Sequence, residues 1–207
     1  GTYYIPELPD KASAGKEIKV GVIGCGGRGS GAVKNVFAAA DNVKIVALGD
    51  VFADRLEKLR TNIKENYGQE VAEENCFIGF DSYKNVIDAG VDYVICTAPP
   101  VFRPDHFKYA TEKGVHSFLE KLIAVDPKGY RTVMATARQA KAKNLVVVCG
   151  TQRHHQRPYV QAYEKISQGM IGEITGGNVY WNQGMLWYKN REKGWSDMEW
   201  MIRDWVN

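Results

Sequence analysis

At 207 residues, against about 150 for a typical domain, the chain has room for one full domain and part of another. Its 44% apolar, 25% charged and 11% aromatic residues are those of an ordinary globular protein and exclude a disordered or collagen-like chain. Lys and Arg outnumber Asp and Glu by only 27 to 24, with the bases scattered among acids. That leaves no electrostatic footprint for nucleic acid or a membrane surface, and no apolar run reaches the roughly 18 residues of a membrane span.

Residues 1–16 carry two prolines, little periodicity and no targeting pattern, and read as an arm. IKVGVI at 18–23 is a short apolar run that ends in glycines, as expected of a strand buried on both faces. VKIVAL at 43–48, CFIGF at 76–80, DYVICT at 92–97, VHSFLE at 115–120 and LVVVC at 145–149 complete six candidate strands. Helical stretches separate them: 30–39, 53–67, 82–88, 104–113 and 127–143, the last opened by Asp126 as N-cap with Pro127 at its first position. Strict alternation of continuously apolar strands with helices predicts an α/β fold, a doubly wound parallel sheet covered on both faces. In such a sheet, ligands sit at the carboxyl ends of the strands. The cysteines Cys25, Cys76, Cys96 and Cys149 show no C-x-x-C spacing and lie in or beside the apolar runs, which suits reduced, structural thiols.

After Gly150 the pattern changes. A helix over 158–167, a strand-like GEITGGNVYW at 172–181 and an aromatic tail read as the start of a second domain over 151–207, after a first domain over 17–150. All five tryptophans fall within the last 27 residues. Such a tail packs into a core or interface, lines a sugar-sized pocket, or waits for further chain.

The chemistry begins directly after the first strand. In GCGGRGSG, Gly24, Gly26 and Gly29 satisfy G-x-G-x-x-G where a strand turns into a helix, with Cys25, Gly27 and Arg28 between them. The first glycine allows the tight turn, the second lets backbone amides approach a pyrophosphate, and the third lets the helix pack closely. Asp50 ends the second strand 21 residues after Gly29, close to the ~20 expected of a carboxylate that binds the adenosine ribose and repels a 2′-phosphate. NAD is therefore expected over NADP, a preference tempered by Arg28 and Arg55 nearby. Together these features specify a Rossmann fold.

The fourth strand ends in Thr97-Ala98-Pro99-Pro100, a rigid turn at the edge where cofactor and substrate meet, and the fifth ends in Glu120-Lys121. A lysine there, partly desolvated beside a nicotinamide, is placed for proton transfer, since burial and a neighbouring cation draw an ammonium toward neutrality. A surface lysine paired with Glu120 fits the spacing equally well. His106 is near enough to approach the nicotinamide edge, with capping or packing as its other reading; His116, inside the fifth strand, reads as structural. His154 and His155 lack a third ligand, so no metal is expected. One of the two, with Gln152 and Arg153, reads instead as a hydrogen-bonding group for substrate hydroxyls, while the other packs or meets solvent.

Taken together, the GCGGRG turn, Asp50, the TAPP turn, His106 followed by YATEKGVHSFLEKLIAVD, and GTQRHHQRPYVQAYEKISQGMIGEI resemble the Gfo/Idh/MocA oxidoreductases, from about residue 17 onward. The resemblance implies a Rossmann domain followed by a substrate domain with a large antiparallel sheet that also forms a homo-oligomer interface. It implies NAD-dependent hydride transfer at a secondary alcohol of a sugar or cyclitol, with Lys121 as the proton-transfer group. The family's Glu-Lys-Pro is matched at Glu120 and Lys121, but Leu122 replaces the proline and leaves the backbone freer there. The family's second-domain Asp and His motif has no match, so the sequence reads as part of a longer enzyme or as a truncated form. Two other activities are open: a glycosidase acting by transient sugar oxidation with bound NAD, and a nucleotide-binding module without turnover. The resemblance also allows either periplasmic location after twin-arginine export or a cytoplasmic one.

Overall fold

The computed structural model describes residues 15–205, so the predicted arm lies outside the described residues except for Gly15 and Lys16. The chain divides into two compact units, one ending at Thr151 and the other beginning at Gln152.

The first unit is a sheet of six parallel strands: β1 (Ile18–Ile23), β2 (Val43–Asp50), β3 (Cys76–Ile78), β4 (Tyr93–Cys96), β5 (His116–Leu119) and β6 (Val147–Cys149). Their order is β3-β2-β1-β4-β5-β6, the doubly wound arrangement in which the connection reverses direction between β1 and β4. Helices α1 (Gly27–Ala39), α2 (Ala53–Tyr67), α3 (Ser82–Asp88), α4 (Arg103–Glu112) and α5 (Pro127–Ala142) join the strands. Alternate side chains divide the core into two apolar layers. Val20, Val22, Ile45 and Leu48 pack with Val33 of α1 and Leu56, Leu59 and Ile63 of α2. Ile23, Ala47, Val94 and Leu119 pack with Val86 of α3, Phe107 of α4 and Val133 of α5. Each large side chain hidden in this way contributes about 1.5–3 kcal/mol of transfer free energy.

The boundaries follow local chemistry. Gly68 ends α2 in the left-handed conformation at φ 65°, where a residue without Cβ costs least. The Asp126 carboxylate caps α5 by accepting from the Gly129 amide at 2.6 Å. All four cysteines are free thiols, and burial pushes Cys96 up to about 12, so it stays protonated and inert.

The second unit holds α6 (Arg157–Ser167) and α7 (Asp197–Arg203). The strand expected over 172–181 is not formed: the segment has no regular secondary structure. No strand is described within the second unit to receive its amides, and a lone strand leaves them unpaired. The sequence reading missed α7, although Ser196 and Glu199 stand at capping-box spacing and the Ser196 hydroxyl accepts from the Glu199 amide at 3.1 Å. Part of the aromatic tail closes on itself. Trp200 donates from Nε1 to the Lys189 carbonyl at 2.8 Å and meets Tyr188 edge-on, while Asp204 accepts from the Lys189 amide at 2.7 Å. Among the described residues no helix is long and apolar enough to cross a membrane.

Candidate functional site

The carboxyl ends of β1, β2, β4 and β5 bring the predicted turns of the first unit together. Gly24 has φ +94°, and a Cβ on it would stand 2.4 Å from the Ala98 nitrogen. A Cβ on Gly29 would stand 2.1 Å from the Gly24 carbonyl oxygen. Both glycines are thus required by backbone that cannot yield. Gly26 and Gly27 are different: a Cβ on Gly26 would meet only Arg55 Cδ at 4.0 Å, and one on Gly27 nothing within 4 Å. The turn is tight where it folds on itself and open at the start of α1, where free amides and the helix dipole favour an anion. That geometry fits a pyrophosphate approaching the backbone.

The glycine turn is fastened on two sides. On one, Asp50 accepts from the Cys25 amide at 2.6 Å through Oδ2 and from the Phe52 amide at 2.9 Å through Oδ1. Burial raises its carboxyl above the ordinary range, while the amides of Phe52 and Cys25 and the charge of Arg55 pull it back. Asp50 therefore ties the turn to the end of β2, a role that its spacing alone did not reveal, and each oxygen keeps a second lone pair for a hydroxyl. Cys25 donates its thiol toward the Gly49 carbonyl at 3.5 Å, and burial followed by the charge of Asp50 raises the thiol well above its usual value. On the other side, the Thr97 hydroxyl lies 2.7 Å from the Gly24 carbonyl, and the Thr97 and Ala98 amides donate to the Ile23 carbonyl at 2.8 and 3.2 Å. Pro99 then leads into a short 3-10 turn over Pro100–Phe102.

At the end of β5, Glu120 is buried and accepts from Arg28 Nε at 2.5 Å and from the Lys121 amide at 3.0 Å. Gly150 makes room for it, since a Cβ there would come within 2.8 Å of Glu120 Oε1. Glu120 is thus engaged by Arg28, not by the Lys121 ammonium. Lys121 is exposed, so the desolvation expected from its place at a strand end is not found. Among the described residues its Nζ has no ion pair or hydrogen bond. The backbone at Leu122 is held as well: its carbonyl accepts from Arg103 Nη1, and Arg103 Nη2 donates to the Ala98 carbonyl.

His106 lies in the core of α4, stacked on Tyr83 at 4.4 Å between ring centroids and facing Phe102 at 6.1 Å. Burial first, and the charge of Arg103 second, lower it to about 3. It is a neutral packed ring, which favours its packing reading. His116 Nδ1 accepts from the Val146 amide at 2.9 Å, a structural link. An apolar hollow of about 460 Å³ lined by Ile18, Val36, Tyr93 and Val146 lies at the amino ends of the strands, the wrong edge for a nucleotide.

Gln152, Arg153, His154 and His155 belong to the second unit, the first three in a 3-10 turn. Arg153 donates to the Tyr159 hydroxyl at 3.1 Å and lies over the Trp181 ring at 4.8 Å. Gln152 and His155 are exposed, and the Gln152 carbonyl accepts from the His155 amide at 3.0 Å. Among the described residues no three His, Cys, Asp or Glu side chains gather as a metal site.

The pattern of an oxidoreductase family with an NAD-binding Rossmann fold, GFO_IDH_MocA, matches residues 18–150. The chain belongs to this family. It is 27% identical over 159 residues to the scyllo-inositol 2-dehydrogenase (NAD(+)) of Bacillus subtilis, covering 76% of this chain and 42% of the relative. A glycosyl hydrolase family 109 protein of Solibacter usitatus is 25% identical over 200 residues, covering 90% of this chain and 43% of the relative. Among solved structures, the scyllo-inositol dehydrogenase of Lactobacillus casei with bound NAD(H) and scyllo-inositol superposes with a TM-score of 0.62 at 27% identity, covering 77% of this chain and 44% of that one. The chain thus spans about two fifths of the length of the relatives it matches.

Proposed function

We propose that this chain is the nucleotide-binding part of an NAD-dependent dehydrogenase acting on a secondary alcohol of a sugar or cyclitol. One observation carries the reading: a glycine turn that is closed on itself at Gly24 and Gly29 and open at Gly26 and Gly27, fastened to Asp50 on one side and to the Thr97 turn on the other. Gly26, Gly27 and the first amides of α1 would receive the pyrophosphate. Asp50 would accept from the ribose hydroxyls and disfavour a 2′-phosphate, and the Thr97-Ala98-Pro99 turn with Glu120-Lys121 would border the nicotinamide half. The bound nicotinamide supplies hydride acceptance. Lys121 is exposed in the free chain; in the assembled site, where cofactor and substrate would remove the water around it, its Nζ as the neutral amine would take the hydroxyl proton while the alcohol carbon yields its hydride to the ring. His106, packed and neutral, is left out of the chemistry. In this reading Gln152, Arg153, His154 and His155 contribute to the polyol site, and the whole protein is a homo-oligomer built through a second-domain sheet.

Calorimetric titration with NAD and separately with NADP tests the nucleotide half. Saturable binding with NAD preferred is expected, and no binding of either overturns the reading. For the reaction, scyllo-inositol, myo-inositol and glucose are offered with NAD and NADH is followed. Lys121→Ala should abolish any turnover seen, and retained turnover would remove the lysine from the mechanism.

A second reading is favoured by one finding. The family 109 match covers 90% of this chain, whereas the inositol dehydrogenase match covers 76%. Glycoside cleavage through transient oxidation would release a sugar without accumulating NADH, and assaying both products separates the two activities.

A further inference from the structure

Arg103 stands at the first position of α4, where the helix dipole disfavours a cation. An arginine there would ordinarily reach into water, yet Arg103 is 2% exposed, and its Nε has no hydrogen-bond partner. Burying a guanidinium with an unmet donor is costly, and an apolar side chain of similar volume would fill the space more favourably. Only the fork of a guanidinium, however, can span two carbonyls in fixed geometry. The two it spans belong to different turns: Ala98, which backs onto Gly24 after β4, and Leu122, one residue beyond Lys121 after β5. On the other side of Lys121, Glu120 is held by Arg28 from the glycine turn. Lys121 thus lies between two arginine-anchored neighbours.

We propose that Arg103 is a positioning residue, which fixes the Lys121 backbone against the Ala98 turn and so sets the nicotinamide side of the cleft. The proposal rests on the cofactor reading above. In a sheet of this order one nucleotide half lies over β1 and β2, the side of Asp50, and the other over β4 and β5, the side that Arg103 braces. The brace acts at Leu122, where the family resemblance leads one to expect a proline. It restrains from outside a backbone that lacks the ring.

The test compares NADH with ADP, which carries the adenosine and pyrophosphate but no nicotinamide riboside. Affinities for both are measured by calorimetry on the whole chain for wild type, Arg103→Met, Lys121→Met and the double variant. Arg103→Met should weaken NADH by about tenfold, the loss expected for hydrogen bonds to a charged group, while ADP binding stays within about twofold. Because Arg103 acts through Lys121, the double variant should bind NADH no worse than Lys121→Met alone. A general structural role would weaken ADP and NADH together and would add to the lysine effect. If Arg103→Met does not fold, Arg103→Lys carries the comparison: it keeps the charge but cannot span both carbonyls, and should show the same selective loss. Equal losses for the two ligands, or none, overturn the brace. Wild type that binds neither ligand overturns the cofactor reading instead.

Discussion

Ile45, Leu48, Leu59 and Phe107 in the first unit are 0% exposed, whereas Val179 and Met185 in the second are 99% and 96% exposed. The difference lies in what surrounds each segment. The inner strands β1, β2, β4 and β5 have a hydrogen-bonded neighbour on each side and pack against the helices, so their backbone polar groups are met and their faces are covered. Residues 172–181 carry strand-like side chains, but no strand is described within their own unit to pair with, and hydrophobic pattern without a ladder does not make a strand. Apolar content is therefore a poor guide to stability in this chain unless the covering layer is identified.

The sharpest way to break this comparison is at the glycine turn. Gly29→Ala drives a methyl against the Gly24 carbonyl at 2.1 Å. It should cost more than about 3 kcal/mol or prevent folding, as read by urea unfolding. Gly26→Ala meets only the end of Arg55 at 4.0 Å and should change stability by less than about 0.5 kcal/mol while weakening NAD. Equal destabilisation by both would show that the turn serves geometry alone. Next in size, Phe107→Ala opens the second apolar layer and should cost about 3–5 kcal/mol. Met185→Ala should stay within about 0.5 kcal/mol, and a large effect at Met185 would mean that the second unit has a core of its own.

A smaller effect depends on pH. The folded-state pKa of His106, about 3, lies below its unfolded value of roughly 6.5. Between those values the unfolded chain takes up a proton that the folded chain does not. The stability this supplies is complete above about pH 6.5 and is lost as pH falls toward 3. From about pH 7 to pH 5 the loss from this one group is about 2 kcal/mol, and His106→Phe, which keeps the aromatic stack, should remove it. Urea midpoints at the two pH values decide. An unchanged slope in His106→Phe would mean that the ring titrates normally.

How much of this was legible beforehand depended on whether the signal was local. Each of the six strands and five helices of the first unit follows from short-range pattern, down to the Asp126 cap and the family's Gly24 and Gly29 spacing, and the structure agrees on their order along the chain. The ties between distant turns were not legible. That Arg28 takes Glu120, that Asp50 holds the Cys25 amide, and that Arg103 bridges Ala98 and Leu122 depend on β2, β1, β4 and β5 lying side by side, which no neighbour in sequence reports. The choice between the two readings of His106 is not local either, and the structure favours packing. Its charge is suppressed by Tyr83, Phe102 and Arg103, brought to it by packing. In the second unit the local strand pattern over 172–181 forms no strand, whereas the capping signal at Ser196 does start a helix.

The two helix caps give the finest test of whether the units melt independently. Asp126 accepts from the Gly129 amide at 2.6 Å and starts α5, whose Val133 and Ala140 are buried in the first unit's core. Ser196 accepts from the Glu199 amide at 3.1 Å and starts α7 in the second unit. Either cap replaced by alanine loses about 1 kcal/mol locally. In Asp126→Ala that loss should appear in full in the main unfolding transition, because α5 cannot fray without uncovering the sheet. In Ser196→Ala the main transition should not move, and the loss should appear only as faster amide exchange within α7, which opens below the global free energy. If Ser196→Ala shifts the main midpoint as far as Asp126→Ala does, the units unfold as one, and the exposed residues of the second unit contribute to a stability that their accessibility does not suggest.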